Sequence, residues 1–375
     1  MESIEIVRSD WPYVLDLMPD DLEQSAVDKL ALRRRREITS GGDLLRLALL
    51  YGLCDLTLEQ TAAQAALVGM GQISDVGVLK RLRQADEWLG HVVLRFLQER
   101  GLARNVPPLS VRVVDATVVS GPGSRGTDWR VHVGLDLGKQ QISTVELTGP
   151  EGGETLRRHT VAPGEVMLAD GGYGQREGVA HILDQEGHVV VRINWQNFPL
   201  QTRGGQPLDI VRCLETLRVG EIGDWPVQFE ANGGVYPIRL LALRKSRAAT
   251  EKARTRIRHE ASRKGRKPDR RSLRAAQFVY VITDLDPQTL PADQGLELYR
   301  LRWQIEIAFK HLKSLLHLDH LRAKDPRLAR SYLYAKILGA LIVEELCDSA
   351  LAFFPWGYPL FPGRCQSLAL AAGAG

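Results

Sequence analysis

An α/β fold built on one mixed sheet is the class this sequence predicts, and three observations predict it. Residues 109–148 carry three short β-branched or alternating stretches separated by turn-forming loops. Residues 164–195 then alternate strand and helix patterns. A last strand at 277–285 leads into a long amphipathic stretch at 291–316. Antiparallel strands followed by alternating α/β units make a sheet with helices around it.

Each element has its own signal. Residues 1–105 read as helical. "DLLRLALLYGL" carries an apolar stripe, and Thr57 with Gln60 forms a capping box that opens the next helix. "GMGQ" breaks that helix, and a long one restarts near Ser74. Helix, glycine turn, helix is the layout of a helix-turn-helix, with Lys80, Arg81 and Arg83 early on the second helix, where a DNA reader needs them. A plain helical bundle with solvated Lys and Arg fits the same residues. "RRRRE" at Arg33 to Glu37 adds local positive charge, which a solvated face also explains.

After "NVPP" the pattern changes. "LSVRVVDATVV", "WRVHVGLDL" and "QISTVELTG" form an antiparallel meander, and a short helix is expected near "ETLRRH". "GEVMLAD" is a strand ending on Asp170, "GQREGVAHILDQEG" a helix and "HVVVRINW" a strand. Residues 196–276 read as a β-rich insertion ending in a basic tract. From Arg244 to Arg274 that tract has fourteen Lys or Arg against Glu251, Glu260 and Asp269. Such one-sided charge suits phosphates, though an exposed solvated helix or loop carries it too. "QFVYVITDL" is the last strand, "PADQGLELYRLRWQIEIAFKHLKSLL" one long helix, and more helix follows to about 350. The Pro- and Gly-rich tail reads as loosely packed. This order matches the ribonuclease-H-like layout. The expected organisation is a helical, DNA-binding 1–105, a catalytic core of 106–195 and 277–345, the insertion 196–276 and the tail 346–375.

The 375 residues have a formal net charge of +4, and most of the excess positive charge lies in the basic tract. Cys54, Cys213, Cys347 and Cys365 are too scattered for a zinc site or a disulfide framework. The N-terminus has no signal pattern, and Ile337 to Val343 is too short an apolar run to cross a bilayer. The chain reads as cytoplasmic, with no membrane partner.

Asp115 sits inside an apolar strand, where a carboxylate is costly without a cation or donor. Asp170 ends a second apolar strand ahead of the flexible turn "GGYG". Carboxylates at one sheet edge can share divalent ions, and two ions about 3.5–4 Å apart activate one oxygen and stabilise another in phosphodiester chemistry. On a continuous helix, Tyr299, Arg302, Glu306 and Lys313 fall within roughly a 60° sector. Leu298, Leu301, Ile305, Phe309, Leu312 and Leu316 form an adjacent apolar stripe for packing on the sheet. Glu306 can then supply a third carboxylate, Arg302 and Lys313 can neutralise phosphates, and Tyr299 can hydrogen-bond one.

These residues carry a resemblance. Tyr299, Arg302, Glu306 and Lys313 stand at the spacing Y-x2-R-x3-E-x6-K, with "VVDATVVS" around Asp115 and "LADGGYG" around Asp170. The chain resembles the DDE transposases of bacterial insertion sequences, in the IS-four type, over roughly residues 40–345. The resemblance implies a metal-dependent enzyme that cuts at transposon ends and joins the 3′-hydroxyl to target DNA, in some members through a hairpin. It implies Asp115, Asp170 and Glu306 as catalytic metal ligands, for two Mg²⁺ ions that Mn²⁺ can replace. It gives Tyr299, Arg302 and Lys313 to DNA phosphates, and Phe278 as a counterpart of an aromatic that fills a flipped base's place. Expected partners are terminal inverted repeats and target DNA, bound as a homodimer near the bacterial nucleoid. The alternatives are a ribonuclease-H-like nuclease without strand transfer, and a catalytically inactive or truncated remnant that only binds DNA.

Overall fold

The computed structural model describes residues 11–102, 110–124, 126–139, 141–319 and 321–353. Six helices come first: α1 (Trp11–Asp16), α2 (Leu22–Asp28), α3 (Gly41–Leu53), α4 (Leu58–Leu67), α5 (Asp75–Gln84) and α6 (Asp86–Leu102). Caps set their starts. Thr57 Oγ1 accepts the Gln60 N–H at 3.2 Å while Gln60 Oε1 accepts the Thr57 N–H at 2.9 Å, which is the capping box expected from sequence. Ser40 and Asp43 do the same at α3. Ser74 opens α5 by accepting the Gly77 N–H at 3.1 Å. The long helix expected from Ser74 is two helices, with a bend at Ala85 between α5 and α6.

The sheet begins with β1 (Val111–Val119), β2 (Trp129–Asp136) and β3 (Gln141–Thr148), an antiparallel meander as expected. The short helix near "ETLRRH" is a single 3₁₀ turn, Leu156–Arg158. Next come β4 (Val166–Ala169), α7 (Arg176–Leu183) and β5 (His188–Arg192). The segment 196–276 supplies β6 (Leu200–Thr202), β7 (Pro207–Leu208), α8 (Ile210–Leu214), β8 (Ile222–Ala231) and β9 (Gly234–Arg244), then α9 (Arg247–Arg263) and α10 (Arg270–Ala275). Its basic tract is therefore mostly helix. The chain closes with β10 (Phe278–Thr283), α11 (Ala292–Arg300), α12 (Trp303–Leu316) and α13 (Pro326–Phe353). Within the expected tail, residues 354–375 lie outside those described.

The ten strands form one sheet in the order β3-β2-β1-β4-β5-β10-β9-β8-β6-β7. The β1–β4 and β4–β5 pairs are parallel and the others antiparallel. The strands of 196–276 thus continue the same sheet outward from β10.

Side chains alternate between two cores, as the period of two along a strand requires. Val113, Val131, Val133 and Val145 face a core shared with α3, α6, α12 and α13. Val114, Met167, Val191 and Ile282 face a second core with Val179 and Ile182 of α7. Helices at the two ends of the chain meet in the first core. Gly52 of α3 packs so closely on α13 that a Cβ there would stand 2.6 Å from the Ala335 Cβ. Beside that contact Lys336 is buried, donating to Asp55 Oδ1 at 2.9 Å. Asp86, with no exposed surface, accepts from Arg327 and Arg330 of α13. Among the described residues, no helix is long and apolar enough to cross a membrane.

Candidate active site

Register brings two carboxylates together. Val114 of β1 pairs with Ala169 of the parallel β4, and the next residues along are Asp115 and Asp170. Neighbouring strands lie about 4.8 Å apart, so the two aspartates sit side by side where β4 ends. The same logic places Arg192. Ala169 pairs with Val191 of β5, and Arg192 Nη1 reaches 3.7 Å from Asp170 Oδ1.

The environments of the two differ. Burial pushes the Asp115 carboxyl up to about 6, against the Ala116 N–H and the charge of Arg302, while Glu154 and Asp170 push it further up. At Asp170 burial also pushes upward, but the Gly171 N–H, Arg302, Arg192 and the Tyr299 hydroxyl outweigh it and hold the carboxyl below its usual range. Tyr299 donates to Asp170 Oδ1 at 3.0 Å, and the Gly171 N–H reaches the same oxygen at 2.6 Å. Burial, with the Asp170 charge, pushes the Tyr299 hydroxyl up to about 12, so it stays a donor.

The single helix expected across Tyr299 and Glu306 is two helices. Leu301 and Arg302 form a turn between α11 and α12. There the N–H groups of Leu301, Arg302 and Ile305 bond to the carbonyls of Leu298, Tyr299 and Arg302, three residues back, a 3₁₀ tightening. The tightening shifts the phase of the stripe: Tyr299 ends one helix and Glu306 starts the next. The apolar stripe itself stands: Ile305, Phe309 and Leu312 are buried, and Leu298 and Leu316 pack on the same core. Arg302, at the turn, bridges the site. Its guanidinium lies 2.7 Å from Glu306 Oε1 and 3.9 Å from Asp115 Oδ2. Lys313 is in the last turn of α12, about 10 Å along the axis from Glu306.

Among the described residues, no three Asp, Glu, His or Cys side chains converge as the ligands of one ion. Arg302 stands between Asp115 and the exposed carboxylate of Glu306. The donor chemistry still fits a hard divalent cation. All three groups are carboxylates, and Asp115, half-buried with Arg302 3.9 Å away, has its pKa pushed up by burial, which a cation would offset.

Two neighbours escaped sequence reading. Arg192 is visible only once β4 and β5 are in register. Glu154 has no motif, but a Cβ at Gly172 would stand 2.1 Å from its Oε2, so the second glycine of "LADGGYG" lets Glu154 close on the turn after Asp170.

Other expected contacts fall elsewhere. Phe278 is 2% exposed, because alternation along β10 turns it into the second core, and Arg244 lies 5.7 Å over its ring. It is one of the residues lining a cavity of about 570 Å³ beside Asp170, with Arg192, Trp195, Arg266 and Lys267. Lys80, Arg81 and Arg83 lie in the second half of the ten-residue α5, not early on it, because the helix ends at Gln84. Arg83 is spent on Asp325 at 2.7 Å, and Arg81 donates to the Arg34 carbonyl.

This arrangement of motif residues coincides with a family. Over residues 107–342 the chain matches the family described as the transposase DDE domain, and it belongs to that family, in the IS-four type. It is 36% identical to the putative transposase InsL for insertion sequence element IS186A of Escherichia coli K12, covering 93% of this chain and 96% of the relative. Against the transposase for IS421 of Escherichia coli the identity is 36%, with the same 93% and 96% covered. The transposase for IS231F of Bacillus thuringiensis subsp. israelensis is 24% identical over 91% of this chain and 80% of its own length.

Proposed function

We propose that this protein is the transposase of an insertion sequence, cutting DNA at the element's ends and joining the freed strand to a target. The observation that carries the reading is the register-set pair Asp115 and Asp170, approached by Arg302 and Glu306 from the α11–α12 turn. The β3-β2-β1-β4-β5 order supports a ribonuclease-H-like core, and the helices of 11–102 supply the DNA-binding part. In the first step a water oxygen attacks the end phosphorus and the 3′-oxygen leaves, taking a proton. In the second, the 3′-hydroxyl oxygen gives up its proton and attacks a target phosphorus, and the displaced 3′-oxygen of the target strand leaves as a hydroxyl, taking a proton.

Asp115, Asp170 and Glu306 are the residues to hold Mg²⁺ or Mn²⁺. Bound there, the ions would polarise the attacking oxygen and neutralise the leaving one. Tyr299 fixes the Asp170 carboxylate by its hydrogen bond. Arg302, released from Glu306, meets a phosphate beside the scissile bond, and Lys313 meets the next along the strand. Two ends need two active sites, so a homodimer assembles on DNA, and a hairpin on the element end is one route between the steps.

The test uses the purified full chain, duplex DNA carrying the element's own ends, and Mg²⁺, resolved on a gel beside Asp115→Ala. Cleavage and end joining that vanish in the variant support the reading. Cleavage without joining makes the protein a nuclease, and binding without cleavage makes it an inactive remnant.

A further inference from the structure

The four arginines at 33–36 connect α2 to α3, pinned by Leu32 and Ile38, which are 4% and 0% exposed. Pinning both flanks holds the arginines between them on the surface. Arg35 turns away to Glu23 at 2.7 Å. Arg81 crosses from α5 to the Arg34 carbonyl and ties the segment to that helix. The result is a concavity of about 390 Å³ lined by Arg33, Arg34, Arg36, Lys80, Arg81 and Gln84. Glu37 is the acid whose charge reaches Arg81. Arg33, Arg34, Arg36 and Lys80 make no ion pair among the described residues.

We propose that this concavity is a phosphate clamp that grips the DNA backbone without reading sequence. The inference rests on the transposase reading for its partner. Three features carry it. Five cations line one hollow whose other lining residues are only Gly77 and Gln84, a charge that suits successive phosphates more than base edges. A recognition helix presents its N-terminal residues to the major groove, whereas these cations come from the second half of α5 and from a loop. The arginine that a base reader would need free, Arg83, is held by Asp325.

The test measures binding of the full chain to a labelled duplex across a salt series, on element-end DNA and on a scrambled duplex of equal length. In the triple variant Arg33→Ala, Arg36→Ala, Lys80→Ala, the slope of log affinity against log salt becomes shallower by about 0.9 for each phosphate no longer neutralised, and equally on both duplexes. The thermal midpoint stays unchanged, because all three side chains are exposed. Should the triple variant fold poorly, Lys80→Gln alone gives a change of about 0.9. Arg83→Ala lowers the thermal midpoint and leaves the slope as it was. An unchanged slope in the variants, or a weakening confined to element-end DNA, overturns the clamp. A wild-type protein that binds with this salt dependence but cuts nothing sinks the transposase reading and leaves the clamp standing.

Discussion

Tyr299, Gly171 and Arg192 all approach the same oxygen of Asp170, Oδ1, and among the described residues Oδ2 accepts no hydrogen bond. One side of the carboxylate is fixed and the other is free for a ligand. Removing the hydroxyl in Tyr299→Phe loses a hydrogen bond to a charged group, worth about 1.5–3 kcal/mol. Single-turnover cleavage should therefore slow by about 10- to 100-fold, with DNA affinity unchanged. A variant cutting at the wild-type rate would remove Tyr299 from the site. His159, 6% exposed, gives a pH dependence. Burial, helped by the Arg112 charge, lowers its pKa from 6.5 to about 3. The unfolded chain then binds the proton more tightly, so stability is full above about 6.5 and falls as the pH drops toward 3. The loss by pH 4.5 is about 3 kcal/mol. Thermal melts of His159→Phe should fall less steeply across that range than wild type, and parallel curves would refute the assignment. At this scale, a lone Asp in an apolar strand was legible for Asp115 because burial makes it conspicuous. Arg192 was not, because its place depends on a partner strand.

Caps are local, and so the starts of α4 and α5 could be read from a few residues. The break between α11 and α12 could not, since the apolar periodicity runs through Leu298, Leu301 and Ile305 without interruption. A turn tightened by three-residue hydrogen bonds leaves no mark in such a pattern. The contact between α3 and α13 was equally hidden, and its polar part is testable. Lys336 is buried, with its side chain 1% exposed, and depends on Asp55. Asp55→Ala leaves that ammonium without its counter-charge and should destabilise the protein by about 3–5 kcal/mol in urea titrations, whereas adding Lys336→Met to it should restore much of the loss. An Asp55→Ala midpoint within error of wild type would mean that the Leu316 carbonyl alone satisfies the lysine.

For the whole molecule, the mixed α/β class and the meander of β1–β3 were legible because β-branched or alternating stretches stand between turn-forming loops. The joining of β6–β9 to the same sheet was not, since pairing with β10 is a long-range event. Nor was the shared core of residues 11–102 and 326–353, which a division at 105 would split. That core predicts that residues 110–353 produced alone expose the faces of α13 that meet α3 and α6, aggregate, and become soluble when 1–105 is supplied alongside. A soluble, protease-resistant fragment would show that the N-terminal helices are dispensable to it. The same packing has a temporal side. Asp55 waits for Tyr332 and Lys336, 277 and 281 residues later. A ribosome adds about 5–20 residues per second, so for many seconds the nascent first helices have no finished surface to settle on. A chain interrupted before α13 therefore leaves Asp55 without Tyr332 and Lys336, and α3 without the helix it packs on.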